Sequence, residues 1–498
     1  MNNPLFDTMF APHLGKETPF LHLPEGGVIT HDAFLRRAAQ LAHALVGLGV
    51  RTGDRVAVQV GKCPDMLALY AACAQMGAIF LPLNTAYTAT EVTYFVSDSG
   101  AALLVGDPAR ADELRTVADG VGAAFATLSA GGGSLSDAAD TQAETFETVA
   151  RDVDDLAAFL YTSGTTGRSK GAMLTQKNLI SNAVTLTDLW QFTRDDVLLH
   201  ALPIFHTHGL FVATNVMLIA GGAMVFMPKL DVDQLIEWMP KATTMMGVPT
   251  FYTRLLDDAR FDRDLTANMR LFISGSAPLL ADTHVLFEQR TGHRILERYG
   301  MTETNMNTSN PYEGERRAGT VGLPLPDVEL RVADAQGNEL PRGETGVVEV
   351  RGDNVFAGYW NMPEKTAEEL RENGFFITGD LGVQDAEGYV TIVGRGKDLI
   401  ISGGYNIYPK ELELILDAQK GVLESAVVGI PHEDLGEVPL AVLVPEAGAQ
   451  IDLEAVKAAV AEAVARFKQP REYRIVEALP RNTMGKVQKV ALRAEYGA

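Results

Sequence analysis

Helical and strand patterns take turns along the first half of this chain. Residues 31–104 contain "HDAFLRRAAQLAHALVGLG", "DRVAVQV", "PDMLALYAACAQMG" and "AIFLPLN" in succession. A second series, "DVLLHALPI", "GAMVFMP", "TTMMGVPT" and "MRLFISG", follows between residues 196 and 275. Helical segments alternating with short β-rich runs predict βαβ units, largely parallel sheets and an α/β fold. At 498 residues the chain exceeds one hydrophobic core and divides into domains.

The texture changes twice. From about 320 to 395 it becomes rich in turns and strands, as in "VELRVADAQGNELPRGETGVVEVRG", which predicts a smaller β-rich subdomain. After residue 398, strand patterns "ESAVVGIPH", "LAVLVPE" and "REYRIVEALP" flank the helical "DLEAVKAAVAEAVARF". There Leu453, Val456, Val460, Val464 and Phe467 share a face and Asp452 is a candidate N-cap. This predicts a large domain over 1–397 and a small α+β domain over 398–498. The glycine-rich "VGRGKDLIISGGYNIYP" between them suits a mobile junction. Residues 128–146, small and acidic, read as a surface excursion.

A net charge of −22 argues against nonspecific nucleic-acid binding and leaves anion capture to local cations. Cys63 and Cys73 lie in an apolar, helix-like stretch and read as core residues. No run of about 18 apolar residues predicts a membrane span, and the N-terminal stretch lacks a signal-peptide layout. The expected location is the cytoplasm.

Chemistry concentrates in a few segments. "YTSGTTGRSKGAM" (161–173) packs glycines, hydroxyls, Arg168 and Lys170 between apolar residues. Backbone N–H groups, hydroxyls and a lysine suit a polyphosphate, although a surface hairpin has a similar composition. It is not a Walker loop, because Lys170 is followed by glycine. "ISGSAP" (273–278) takes a strand into a turn of small residues, which a flat ring could approach. In "RYGMTETNM" (298–306), Tyr299 could stack on a base, Thr302 could bond a phosphate and Glu303 could hold Mg²⁺. "FFITGD" ends on Asp380, placed to accept from ribose hydroxyls or to cap a turn. "PRNTMGKVQK" presents Lys486 on a turn.

In this order, together with "GRGKDLI", the segments resemble the acyl-adenylate-forming superfamily of acyl-CoA synthetases, luciferases and adenylation domains. The resemblance spans nearly the whole chain. It implies ATP, Mg²⁺ and coenzyme A as cofactors and co-substrates. Thr162, Ser163, Gly164, Thr165, Thr166, Gly167 and Lys170 would form the phosphate loop. Ser276 and Ala277 would line the adenine site, with Tyr299 stacked on the base. Thr302 would contact the α-phosphate, Glu303 the Mg²⁺, and Asp380 with Arg395 the ribose. Asp398 matches the hinge position, and Gly403–Gly404 the loop that approaches the pantetheine tunnel. Lys486 matches the catalytic lysine and is a candidate for acetylation by a lysine acetyltransferase.

The acid pocket of that superfamily is lined by segments matching "HTHG", "GVPT" and "YGMTE". Here His206, Thr207, Gly275, Arg298 and Met306 are the candidate walls, with His206 at a gate position; His208 has no assigned role. An arginine at such a wall would grip a second carboxylate bidentately. The alternative is that Arg298 points outward to Glu297 or Glu303. Segment by segment the chain is most similar to the malonyl-CoA synthetases, which implies malonate, with methylmalonate as a possible second acid. Other readings are a ligase for another small carboxylate and an adenylation enzyme loading a carrier protein.

Overall fold

The computed structural model describes residues 2–162, 169–277, 279–402, 405–432, 435–464, 466–482 and 485–497. Contacts divide the chain into two compact units, Met1–Glu329 with Val350–Phe376, and Leu330–Glu349 with Ile377–Ala498. The fold is α/β. Residues 330–349 and 377–397, expected with the first domain, fall in the same unit as the last hundred residues.

Two sheets build the first unit. Among the described residues one has the strand order 358–359, 170–175, 156–162, 79–82, 55–59, 103–106, 124–127. It is parallel from 156–162 through 124–127. Its middle strands are buried throughout and therefore read as unbroken apolar runs. The helix Pro64–Met76 buries every residue from Met66 to Met76. Proline opens that helix, and Gly77, at φ 74°, ends it in the left-handed conformation.

The second sheet runs 323–324, 305–309, 296–301, 271–274, 244–247, 197–200, 223–226, 19–22, 28–30. Its interior is parallel and its two edges are antiparallel. Ligands of such sheets bind beyond the carboxyl ends of the strands. Those ends here lead into the "HTHG", "GVPT", "GSA" and "MTE" segments.

The second unit is mostly antiparallel. One sheet joins 329–333, 345–351, 376–384 and 390–395. The other joins 405–407, 400–402, 436–445 and 422–432, with 472–475 parallel to 436–445. Helices Pro409–Asp417 and Leu453–Ala463 share one apolar cluster with this second sheet, and Leu492 of helix Lys489–Tyr496 belongs to another.

Two local expectations need correction. Residues 128–146 contain a helix, Ser134–Asp140, whose Leu135 and Ala139 are buried. It docks on the helix His31–Gly47, with Asp140 2.7 Å from Arg37. The helix after Asp452 stops at Ala463. Val464 is extended (φ −136°, ψ 153°), yet it packs in the same core as Val456 and Val460. Asp452 does cap that helix, its Oδ1 accepting from Glu454 and Ala455 N–H at 3.1 Å. Both cysteines are buried. Among the described residues no helix is long and apolar enough to cross a membrane.

Candidate active site

The strand Leu296–Met301 and the strand Asn305–Ser309 form a hairpin whose turn is Thr302–Thr304. Gly300 is required there, because a Cβ would meet the Asn305 carbonyl oxygen at 1.8 Å. The turn is anchored from outside. Phe356 N–H donates to the Glu303 carbonyl at 2.8 Å, and Asn354 Nδ2 to the Thr304 carbonyl at 2.7 Å. Met306 is buried, and its backbone pairs with the Asn182 side-chain amide at 2.9 and 3.2 Å.

Arg298 points inward. Only 4% of it is exposed, and its guanidinium lies against Gly275. Glu297 engages His284 at 3.6 Å and the Gly319 N–H at 3.3 Å, and Glu303 engages Tyr359, so neither carboxylate pairs with the arginine. Among the described residues Arg298 Nε and Nη2 have no hydrogen-bond partner. Burial pulls the pKa of this guanidinium down to about 9, still high enough to hold its charge at neutral pH. A buried charge left alone costs several kcal/mol (roughly 3–5 when a partner is removed). A cation in that state calls for an anion.

The surroundings fit one. His208 lies close enough for Arg298 to help burial hold its imidazole neutral. Its Nδ1 is 3.1 Å from Ser276 Oγ, and Ser276 takes a left-handed φ of 71°, unusual for a residue with a side chain. His208 Nε2 and Thr207 Oγ1 are buried and without partners among the described residues. His206 is half-buried, its Nδ1 facing the His208 N–H at 3.3 Å. Tyr252 is buried within electrostatic reach of Arg298, and its hydroxyl donates to the Ile273 carbonyl at 2.5 Å.

A second cluster sits around Glu303. Tyr359 hydroxyl is 3.0 Å from Glu303 Oε1 and 2.6 Å from Glu369 Oε2. One proton cannot serve both carboxylates fully. Lys170 Nζ lies 3.1 Å from both Glu369 oxygens and 4.0 Å from the Tyr359 ring centroid. Burial raises the pKa of Glu303, and a hard cation beside it would restore the carboxylate. Among the described residues no group of three acidic, histidine or cysteine side chains could hold a metal alone. One carboxylate fits Mg²⁺ when phosphate oxygens and water complete its shell.

In the second unit Asp380 and Arg395 are cross-strand partners, with Oδ1 and Nε 3.0 Å apart. Asp398 pairs with Arg493 at 2.8 Å. Lys486 is exposed on a turn closed by Asn482, whose N–H and Oδ1 meet the Lys486 backbone at 2.9 Å. Thr162 is opposite Lys170 in the strand pair 156–162/170–175. Ser163, Gly164, Thr165, Thr166, Gly167, Gly403 and Gly404 lie outside the described residues. Ala277, Tyr299 and Thr302 are half-buried.

The family described as AMP-binding enzyme matches residues 13–360, and its C-terminal domain matches residues 411–486. The chain belongs to the AMP-binding enzyme family. Among solved members of it, the ATP-bound MatB from Rhodopseudomonas palustris superposes with a TM-score of 0.97. That protein is 54% identical, over 100% of this chain and 99% of the other. The malonate–CoA ligase of Arabidopsis thaliana is 34% identical, over 90% of this chain and 79% of its own length. The feruloyl-CoA synthase of an Amycolatopsis species is 35% identical, over 95% of each chain. Overall identity of this order therefore does not choose the acid within the family.

Sequence reading missed Tyr252, Tyr359 and Glu369, and it left His208 without a place. Tyr359 and Glu369 reach Glu303 and Lys170 across 56 and 199 residues of chain. Nothing local marks them.

Proposed function

We propose that this protein is an AMP-forming acid–thiol ligase that joins malonate to coenzyme A, with methylmalonate as a second acid. The observation that carries the choice of acid is the buried guanidinium of Arg298, seated on Gly275 with two of its nitrogens unpartnered among the described residues. A fatty acid would leave that charge uncompensated, whereas the distal carboxylate of a short diacid meets it with paired N–H donors. Thr207 Oγ1 and His208 Nε2 are further buried polar atoms for the same carboxylate. Met306 and Gly275 limit the length of the pocket.

In the first half-reaction the reacting carboxylate oxygen attacks the α-phosphorus of ATP. The bond to the β-phosphate bridging oxygen breaks, giving an acyl-adenylate and pyrophosphate. Lys170 and the 162–167 hydroxyls and backbone bind the phosphates, and Thr302 contacts the α-phosphate. Ser276, Ala277 and Tyr299 hold the adenine, and Asp380 with Arg395 the ribose. Glu303 would hold Mg²⁺, which when bound offsets charge on the phosphate oxygens. Lys486 supplies a positive charge to the transition state.

In the second half-reaction the thiolate of coenzyme A attacks the acyl carbonyl and AMP leaves. A turn of the C-terminal domain about Asp398 withdraws Lys486 and brings Gly403–Gly404 toward the thiol path. His206 gates the acyl carbonyl. The reaction belongs to the cytoplasm, where buried Cys63 and Cys73 stay reduced.

The test is product mass spectrometry with Mg²⁺, ATP, coenzyme A and competing acetate, butyrate, malonate, methylmalonate, oxalate and succinate. Malonyl-CoA should dominate. A dominant butyryl-CoA peak, or no thioester, would sink the assignment.

A further inference from the structure

Lys62 is a cation with no role in the chemistry above. It follows the strand Arg55–Gln59 and immediately precedes the turn into the helix Pro64–Met76. As a residue it is half-buried, but its ammonium is enclosed, and burial lowers its pKa well below that of a free lysine. Among the described residues no carboxylate forms an ion pair with it. Its contacts are His200 Nδ1 at 2.7 Å, the His200 carbonyl at 2.7 Å and the Leu202 carbonyl at 3.0 Å, with the Phe226 ring centroid at 4.4 Å.

The imidazole completes a tie. His200 Nε2 is 2.8 Å from the Gly209 carbonyl and 3.2 Å from Thr214 Oγ1. Nε2 therefore carries the proton and Nδ1 offers its lone pair to Lys62. Two carbonyls and one lone pair are three acceptors, matched in number by the three donors of a protonated lysine. Gly209 and Thr214 belong to a π-helix over His208–Thr214, a conformation that recurs at functional sites. A Cβ on Gly209 would meet the Pro203 carbonyl oxygen at 2.1 Å. Residues 200 to 214 are thus drawn into one closed loop, pinned at its start by Lys62 and across its middle by His200.

We propose that Lys62 is a positioning residue for the acid pocket: through His200 and Leu202 it fixes the loop that presents His206, Thr207 and His208. The proposal rests on reading that loop as a pocket wall. Its action is expected on acid binding more than on the nucleotide, because among the described residues its hydrogen bonds run to His200 and Leu202, at the root of the loop that carries His206, Thr207 and His208.

The test is Lys62→Met in the full-length protein, which keeps the stem and deletes the three donors. Steady-state kinetics should show the KM for the acid the wild type uses best rising about ten-fold or more, with the KM for ATP within two-fold. The preference for malonate over butyrate should shrink by a similar factor. ¹⁵N spectra of labelled histidine should show the His200 Nδ1 resonance shifting when its donor is lost. Thr214→Val loosens the far end of the same tie and should raise the acid KM in the same sense; it also decides the matter if Lys62→Met does not fold. An unchanged acid KM in a folded variant, or acid and ATP KM values moving together, would overturn the proposal. Failure of the malonate reading would appear separately, in the wild-type choice of acid.

Discussion

Gly275 and Arg298 are matched: the missing side chain of one is the seat of the other. A Cβ on Gly275 would lie 2.3 Å from the guanidinium carbon and 2.4 Å from Nη1. Gly275→Ala should therefore displace the guanidinium and raise the KM for malonate about ten-fold or more, leaving the KM for ATP nearly level. Overpacking of this kind costs about 1–3 kcal/mol of stability. Parallel kinetics and thermal unfolding check both numbers, and an unaffected malonate KM would mean that Arg298 does not touch the acid.

Replacing the charge itself separates stability from function. Arg298→Met removes an uncompensated buried cation, so the ligand-free protein should unfold at the same temperature or higher. Malonate turnover should nevertheless fall about 100-fold, as expected for loss of a charged hydrogen-bonded pair worth roughly 3 kcal/mol. Butyrate should become the better acid. Malonate should raise the melting temperature of the wild type and not of the variant.

The same guanidinium predicts a pH dependence. Its pKa of about 9 is already lowered by burial, so the cation that, on the proposed reading, binds the second carboxylate is lost as pH rises through that value. Malonate affinity of the ligand-free enzyme should decline from pH 8 to pH 10 while butyrate affinity stays flat. Equilibrium binding of the two acids across that range is the measurement.

Lys170 already has a counter-ion in Glu369, 3.1 Å away. A phosphate that takes Lys170 displaces that carboxylate. Glu369→Gln should lower the KM for ATP about two- to ten-fold by removing the competitor, and Lys170→Met should raise it. A higher ATP KM in Glu369→Gln would make Glu369 a direct support of the nucleotide site.

Acid stability should be limited by a pair of stacked imidazoles, His13 and His31, with ring centroids 4.4 Å apart. His31 is buried and its pKa falls to about 4, through burial first and the neighbouring His13 second. The unfolded chain takes up this proton near pH 6.5, so stability is complete above that pH and is lost as pH falls toward 4. At pH 5 the loss from this group is about 2 kcal/mol. His31→Gln should flatten the fall in melting temperature between pH 7 and 5.

Lys486→Ala should cripple pyrophosphate-forming adenylation and spare thioester formation from pre-made acyl-adenylate. Equal losses in both half-reactions would count against domain alternation about Asp398.

Much of this was readable because buried parallel strands are plain apolar runs. The strands Ile79–Pro82 and Leu103–Gly106 are buried at every position, as are Ala223–Phe226 and Leu271–Ser274 in the other sheet. Arg298 stood out for another reason, as the residue before Tyr299 in a segment that matches the acid-pocket wall of the resembled superfamily. Periodicity could not report where a helix axis ends: Val464 keeps its place in the core from an extended backbone. Nor could it pair Lys62 with His200, which are 138 residues apart and meet only once two sheets have assembled. Lys62 did carry a faint signal, a lone cation between an apolar strand and an apolar helix.

The strand Leu296–Met301 has one more implication. Successive side chains on a strand face opposite ways, so Arg298, buried, and Tyr299, half-buried, sit on different sides of the same ribbon. On the proposed reading one side chooses the acid and the other holds the base. Selection can then rewrite residue 298 for a new carboxylate without disturbing the grip on ATP, and a single ribbon separates what the enzyme must keep from what it is free to vary.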